Sequence, residues 1–220
     1  MRTTILLLIL SFSSISLSGQ TIFLGAQLGS NFASSVVTTN LPHDISTNSG
    51  FIAGIVGEMK LDKDFSVRME PSYVVKGAEM NTVYFNATYN HLIKLNCLDF
   101  PILLQYNILD GAFIPVVFAG PNFSFITKSN DSWVITKIGT YPLNGRRASY
   151  DVKDYCNSFD MALEFGCGME YAWRDNLHFF LNARYCDGLT NLVKKAYNGI
   201  SGTWKTSDIR LQIGGKYRIL

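Results

Sequence analysis

The sequence predicts an all-β protein: an eight-stranded antiparallel up-and-down transmembrane β-barrel with short periplasmic turns and long extracellular loops. Three observations carry that expectation. The stretch FDMALEFGCGMEYAW, residues 159–173, alternates without a fault, with Phe, Met, Leu, Cys, Tyr and Trp on one face and Asp, Glu, Gly and Ala on the other. The connections between such stretches alternate between long and short. The polar faces, summed over all strands, carry nearly balanced charge. Alternation marks strands of period two, with one face in an apolar medium. Carboxylates mixed with Gly and Ala suit a narrow enclosed space better than an open wet surface, where Lys, Thr and Ser are usual. The apolar face is therefore read as facing lipid.

Taken in order, residues 1–18 read as a secretory signal, with Arg2 as a positive start, ILLLIL as the apolar stretch and Ser16-Leu17-Ser18 as the small-residue cleavage site. Residues 19–220 form the barrel domain, with strands expected at 21–32, 50–61, 64–76, 91–106, 112–127, 158–173, 176–186 and 205–219. Each is long enough to cross a bilayer as a tilted strand, which takes about 9–11 residues. Between them lie long connections at 33–49, 77–90, 128–157 and 187–204, and the tight turns LDKD, NILDG and WRDN. All tight turns fall at one end, as in outer-membrane barrels. The strand at 91–106 changes phase between Asn96 and Asp99, which reads as a bulge, and 112–127 is nearly all apolar.

The inward face is expected to hold an ion-pair network of Glu58, Arg68, Glu70, Asp160, Glu164, Glu170, Arg184, Asp208 and Arg210, joined by Asp99, Lys60, Lys76, Lys94, Lys216 and Arg218. Buried charges persist when paired and hydrogen-bonded. Aromatic residues fall in two bands. Phe65, Tyr106, Tyr171, Trp173 and Tyr217 lie near the short turns, and Phe51, Tyr73, Phe123, Phe159 and Tyr185 lie near the loops. Such bands match interfacial girdles.

Composition narrows the function. A formal charge of +2 without a basic run argues against a nucleic-acid partner. The four cysteines, Cys97, Cys156, Cys167 and Cys186, match neither zinc nor redox spacing and read as packing residues. No cofactor is indicated. Of the three histidines, His43 and His91 fall near the loop end with Ser46 and Ser49, and no motif links them as a catalytic set. A barrel of eight strands is just wide enough for its interior to be filled by side chains. Binding then falls to the loops, where Trp133, Tyr141, Arg146, Arg147 and Tyr150 are interface-favoured types. Lys194, Lys195 and Tyr197 add a second loop cluster.

The stretches FLGAQLGSNF, FIAGIVGEMKLDKDFSVRMEPSYVVKGA, LDFPILLQYNI, FIPVVFAGPNFSF, FGCGMEYAW and LNARYCDGLTNL span nearly the whole chain after the signal. On these stretches and their order the chain resembles the PorT-like outer-membrane β-barrels of gram-negative bacteria, small eight-stranded barrels similar in architecture to the OmpA membrane domain. The final strand resembles the signal read by the barrel-assembly machinery, with Gln212, Gly214, Tyr217 and Ile219 in place but Leu220 where an aromatic is common. The resemblance implies an integral outer-membrane protein, some members of the family being associated with protein secretion, and does not imply an enzyme; the expected reading is a non-enzymatic platform whose partners are outer-membrane lipid, the assembly machinery, and a secretion-system or cell-surface protein. Two other readings are a barrel enzyme working at the outer rim and a soluble lipocalin-like carrier.

Overall fold

The computed structural model describes residues 21–39, 43–84, 87–138, 141–142, 147–194 and 202–220. The expected signal segment lies outside the described residues. Among the described residues eleven strands follow in chain order: β1 Ile22–Thr39, β2 His43–Lys60, β3 Phe65–Met69, β4 Ser72–Tyr84, β5 Ala87–Asn107, β6 Phe113–Ile138, β7 Tyr141–Pro142, β8 Arg147–Asp151, β9 Phe159–Arg174, β10 Leu177–Gly188 and β11 Gly202–Arg218. Among the described residues one 3-10 turn, Lys153–Tyr155, interrupts them. Among the described residues no helix is long and apolar enough to cross a membrane.

The strands close on themselves. β1 pairs with β2 on one side and with β11 on the other, and the circuit runs on through β4, β5, β6, β9, β10 and back to β11, all antiparallel. β3 and β4 are two halves of one wall position, both lying between β2 and β5. The ring therefore has eight positions. β7 and β8 are additions to the loop-end extension of β6.

Side chains alternate across this wall. Leu24, Leu28, Ile55, Leu104, Phe165, Leu181, Leu211 and Ile213 stand outward, each about half exposed. An exposed apolar surface that runs round the whole ring is unfavourable in water and favourable in lipid. Paired rings border it: Phe65–Tyr106, Phe113–Tyr171 and Trp173–Phe179 toward the short turns, with centroids 4.8–5.7 Å apart, and Phe51–Tyr73 and Phe125–Phe159 toward the loops.

Three details differ from the sequence expectation. First, the wall runs further at the loop end. β1 continues to Thr39, β2 begins at His43, β4 and β5 extend to Tyr84 and from Ala87, and β6 reaches Ile138. Much of the expected loops 33–49 and 77–90 is thus strand. Beyond the membrane both faces of a sheet meet polar surroundings, so strict alternation disappears while β-favouring Val, Thr and Tyr remain. Second, the expected strand 64–76 breaks at Glu70-Pro71. Proline has no N–H for the ladder, and the Pro71 carbonyl instead accepts from Ile55 N at 3.1 Å.

The third difference concerns the phase of β5, which does not change. Leu95, Cys97, Asp99, Leu103, Gln105 and Asn107 are all buried, and Leu98, Phe100, Ile102, Leu104 and Tyr106 are outward. The irregularity sits on the neighbouring strand: Asn96 pairs with Lys128 and Cys97 with Ile126, so Thr127 is the extra residue. Its hydroxyl donates to the Asn96 carbonyl at 2.8 Å. Lys94, expected inward, is exposed on the outer face, as the unbroken alternation of β5 requires. Its polar character had suggested the lumen, but the inward positions at that level are apolar.

Candidate functional site

The lumen is the densest concentration of functional groups in the molecule. Parity along the strands directs Glu58 from β2, Arg68 from β3, Lys76 from β4, Asp99 from β5, Asp160, Glu164 and Glu170 from β9, Arg184 from β10, and Asp208, Arg210 and Lys216 from β11 into the interior, and Glu70 joins them from the break. All are at most 3% exposed.

They connect as one chain from the short-turn end to the loop end. Lys60, at the periplasmic rim, lies 3.4 Å from Glu58. Glu58 pairs with Lys216, and Lys216 reaches Glu170 at 2.7 Å. Gln105 links Glu170 to Arg68 by bonds of 3.1 and 2.8 Å. Arg68 lies 2.8 Å from Glu70. Arg184 then takes both oxygens of Glu70, at 2.6 and 2.9 Å, and bridges to Glu164 at 2.9 Å. Arg210 continues from Glu164 at 3.2 Å to Asp99 at 2.8 Å and Asp208 at 3.1 Å. Lys76 closes the upper end, 3.2 Å from Asp99 and 2.9 Å from Ser124 Oγ. Planar guanidinium forks suit this shared, bidentate role better than a point charge would.

Arginine packing explains two of the glycines. Arg184 lies over the Phe118 ring and Arg68 over the Phe180 ring, each 4.7 Å from the centroid. A Cβ on Gly166 would come within 2.9 Å of Phe118 and 3.0 Å of Arg184 Cα, and one on Gly214 within 2.9 Å of Phe180 Cε1. Each glycine leaves space for a ring that supports a cation from below.

Of the expected network, Asp160 stands apart. It is buried and inward, but its partner is the Thr206 hydroxyl at 2.9 Å, and among the described residues no cation lies within ion-pair distance of it. Lys94, expected as an inward cation, points outward on the unbroken alternation of β5. Arg218 lies exposed at the periplasmic rim.

A second feature, which pattern reading missed, closes the loop end. Val152, Cys156 and Leu192, from the segments after β8 and β10, fold over the mouth onto Leu95, Cys97, Ile126 and Trp204 of the wall. Cys156 forms an isolated bridge with Val193. Asn157 donates through its backbone to Leu192 O at 2.8 Å and through Nδ2 to Asn191 O at 2.7 Å. Asn191 Oδ1 accepts from Val193 N and Trp204 N, and Trp204 Nε1 donates to Ser35 Oγ at 2.7 Å. The result is an apolar plug above the ionic chain. Burial pushes the Cys156 thiol above its ordinary value. The signal was present in Leu192 and Val193, apolar residues isolated within a polar loop, but they have no period to read.

Above the plug, Trp133 and Tyr150 lie on β6 and β8. Their register places them with Asp131 on one face of the ladder. Tyr89 meets Trp133 edge-on at 5.9 Å, and His91 Nδ1 lies 3.1 Å from Asp131 Oδ2. Tyr150 is half exposed. Arg146, Lys195 and Tyr197, and the side chains of Tyr141, Arg147 and His43, lie outside the described residues. Among the described residues no group of three or more His, Cys, Asp or Glu is placed to hold a metal ion.

Comparison with known proteins agrees with this architecture. No curated protein sequence matches the chain. Among solved structures it is similar to the outer membrane protease OmpT from Escherichia coli, with a TM-score of 0.54 and 11% identity over 94% of this chain and 99% of that one. It is also similar to the outer membrane protein OprG from Pseudomonas aeruginosa, with a TM-score of 0.48 and 14% identity over 91% and 96%, and to Neisserial surface protein A, with 0.42 and 12% over 90% and 98%. At such identities the likeness concerns the fold alone. The family model for the outer membrane protein beta-barrel domain matches residues 16–194. With a lipid-facing apolar belt outside and paired charges inside, the chain belongs to that family and is a protein of the outer membrane.

Proposed function

We propose that this protein is a non-enzymatic outer-membrane platform of the PorT-like type, which binds a protein partner through its loop end in association with a secretion system. The observation that carries this reading is the filled interior. The ionic chain runs from Lys60 to Lys76 and the plug lies above it. A lumen occupied by mutually bonded side chains has no route for a diffusing solute, so recognition belongs to the ends. At the loop end, Trp133, Tyr89 and Tyr150 offer aromatic surface of the kind enriched at interfaces. The resemblance to PorT-like barrels supports a secretion partner.

One observation favours a second reading. The His91–Asp131 pair has the geometry of a base held by its orienting acid. Hydrolysis would need a nucleophile beside it, and the nearby Ser132 and Ser149 hydroxyls bond each other at 3.1 Å, Ser132 standing on the opposite strand face from Asp131. Binding is thus the better account.

The test has two arms. Purified protein in planar bilayers should give no stable conductance; a large stable conductance would sink the closed-lumen premise. Secretion-system proteins should co-purify from detergent-solubilised outer membranes and be lost with Trp133→Ala/Tyr150→Ala. Unchanged co-purification would move the binding surface elsewhere.

A further inference from the structure

Lys94 stands outward at the loop-end margin of the belt, and it has company there. On the outer face of the β5–β6 ladder Lys94 pairs with Asn130, and Asn96 pairs with Lys128. The alternation of β5 puts Lys94 and Asn96 on the side of Leu98 and Phe100, away from the buried Leu95 and Cys97. The four side chains make a square, with lysines on one diagonal and asparagines on the other. Diagonal neighbours across a ladder stand roughly 7–8 Å apart, so two flexible lysine stems can bring both ammonium groups to one point over the square.

Both lysines are exposed, and among the described residues neither has a carboxylate within ion-pair distance. The acids at the margin are engaged elsewhere. Glu79, opposite Leu92, accepts from Asn90 Nδ2. Asp151, opposite Asn130, accepts from Lys153 N at 2.9 Å. Lys153 is flanked by Asp151 and Asp154 and donates through Nζ to the Thr127 carbonyl at 3.0 Å. The unbalanced cations are therefore Lys94 and Lys128.

Rings lie directly below. The next outward position beneath Asn96 is Leu98, which pairs with Phe125. Phe125 meets Phe100 at 5.8 Å and Phe159 at 5.5 Å between centroids. These rings belong to the loop-end girdle, which marks the edge of the hydrocarbon. The square thus faces sideways at the height of the outer-leaflet headgroups.

That position and charge select the occupant. Two ammonium groups and two amides suit an anion with several acceptor oxygens, as a phosphate has. A second copy of the chain would set lysine against lysine. We propose that the outward square of Lys94, Asn96, Lys128 and Asn130 binds the phosphate headgroup of an outer-leaflet lipid, whose acyl chains lie on Phe100, Phe125 and Phe159. The site is on the lipid-facing wall and does not depend on the loop platform.

Native mass spectrometry of the full chain in detergent, with phosphatidic acid or phosphatidylcholine added, tests the site. Phosphatidic acid should bind about tenfold more tightly. Lys94→Ser/Lys128→Ser should erase that preference, and Lys94→Arg/Lys128→Arg should retain it. Lys63→Ser/Lys205→Ser removes the same charge from exposed positions elsewhere on the barrel and should also retain it. An unchanged preference in the folded serine variant of the square, an equal loss in Lys63→Ser/Lys205→Ser, or a loss in the arginine variant would overturn the site. Inorganic phosphate should displace the lipid only in large excess. Displacement at equal concentration would show that the square takes a free anion and would overturn the lipid assignment.

Discussion

Arg184 holds two carboxylates that reach it from different parts of the ring, Glu70 from the break after β3 and Glu164 from β9. Replacing it with Leu leaves both buried without their shared cation, and Arg184→Leu should lower stability by about 3–5 kcal/mol. Arg184→Lys should recover only part, since one ammonium cannot bond both oxygens of Glu70 and reach Glu164 as the fork does. Urea titration of the barrel folded in vesicles measures both, and a cost for Arg184→Leu no larger than that of an exposed site such as Lys63→Leu would refute the role. Which residues look inward was legible from parity alone for Glu58, Arg68, Glu164, Glu170, Arg184, Asp208 and Arg210. Which of them meet was not, because parity fixes the face of a strand and leaves the height open. Lys94 shows the limit most sharply. A polar residue next to a suspected bulge reads as inward, while the alternation of β5 runs on unbroken past it and the extra residue, Thr127, lies on the neighbouring strand.

Among the elements, β9 gives the clearest test of the lipid-facing side. Phe165 lies in mid-strand and Phe159 at the loop-end girdle, both outward. Phe165→Arg should cost about 2–4 kcal/mol, and Phe159→Arg about 0–1 kcal/mol. Equal costs in vesicle-folded protein would contradict the placement of the belt. The loop-end plug makes a separate prediction. Leu192 is fully buried between the loop segments and the wall, so Leu192→Asp should release residues 152–157 and 189–194 without unfolding the strands. Proteolysis of intact cells should then cut these segments faster, while the circular-dichroism signal of the barrel stays unchanged; loss of both together would mean that the plug and the wall fold as one unit. The strands of the belt were readable because lipid enforces alternation on them. Val36-Val37-Thr38-Thr39 and the far ends of β5 and β6 were not, since outside the membrane nothing enforces it. The plug was unreadable for a related reason, being assembled from single apolar residues far apart in sequence.

The whole molecule has a defined orientation, with short turns in the periplasm and long connections outside. Lys63 and Tyr150 are exposed at opposite ends, which allows a direct check. A membrane-impermeant maleimide applied to intact cells should label Tyr150→Cys and spare Lys63→Cys until the outer membrane is opened. The native cysteines should contribute little, because Cys97, Cys156 and Cys186 are buried and Cys167 faces the belt. Labelling of both sites on intact cells would contradict the orientation. The ionic chain also constrains how the barrel comes into being. Its partners are far apart along the polypeptide: 114 residues separate Arg184 from Glu70, and 158 separate Lys216 from Glu58. The final strand brings Arg210 and Lys216 at the same moment that it pairs with β1. Until then Glu58, Glu164 and Glu170 lack part of their counter-charge, and an open sheet would present them to hydrocarbon at a cost of several kcal/mol each. A partly joined wall must therefore stay sheltered in water, within its assembly factor or at the membrane surface, and seam closure coincides with drying of the interior. The same linkage works in reverse: once shut, the seam between β1 and β11 cannot part sideways into lipid without separating Lys216 from Glu58, so this wall holds as a permanent enclosure and does not act as a lateral door.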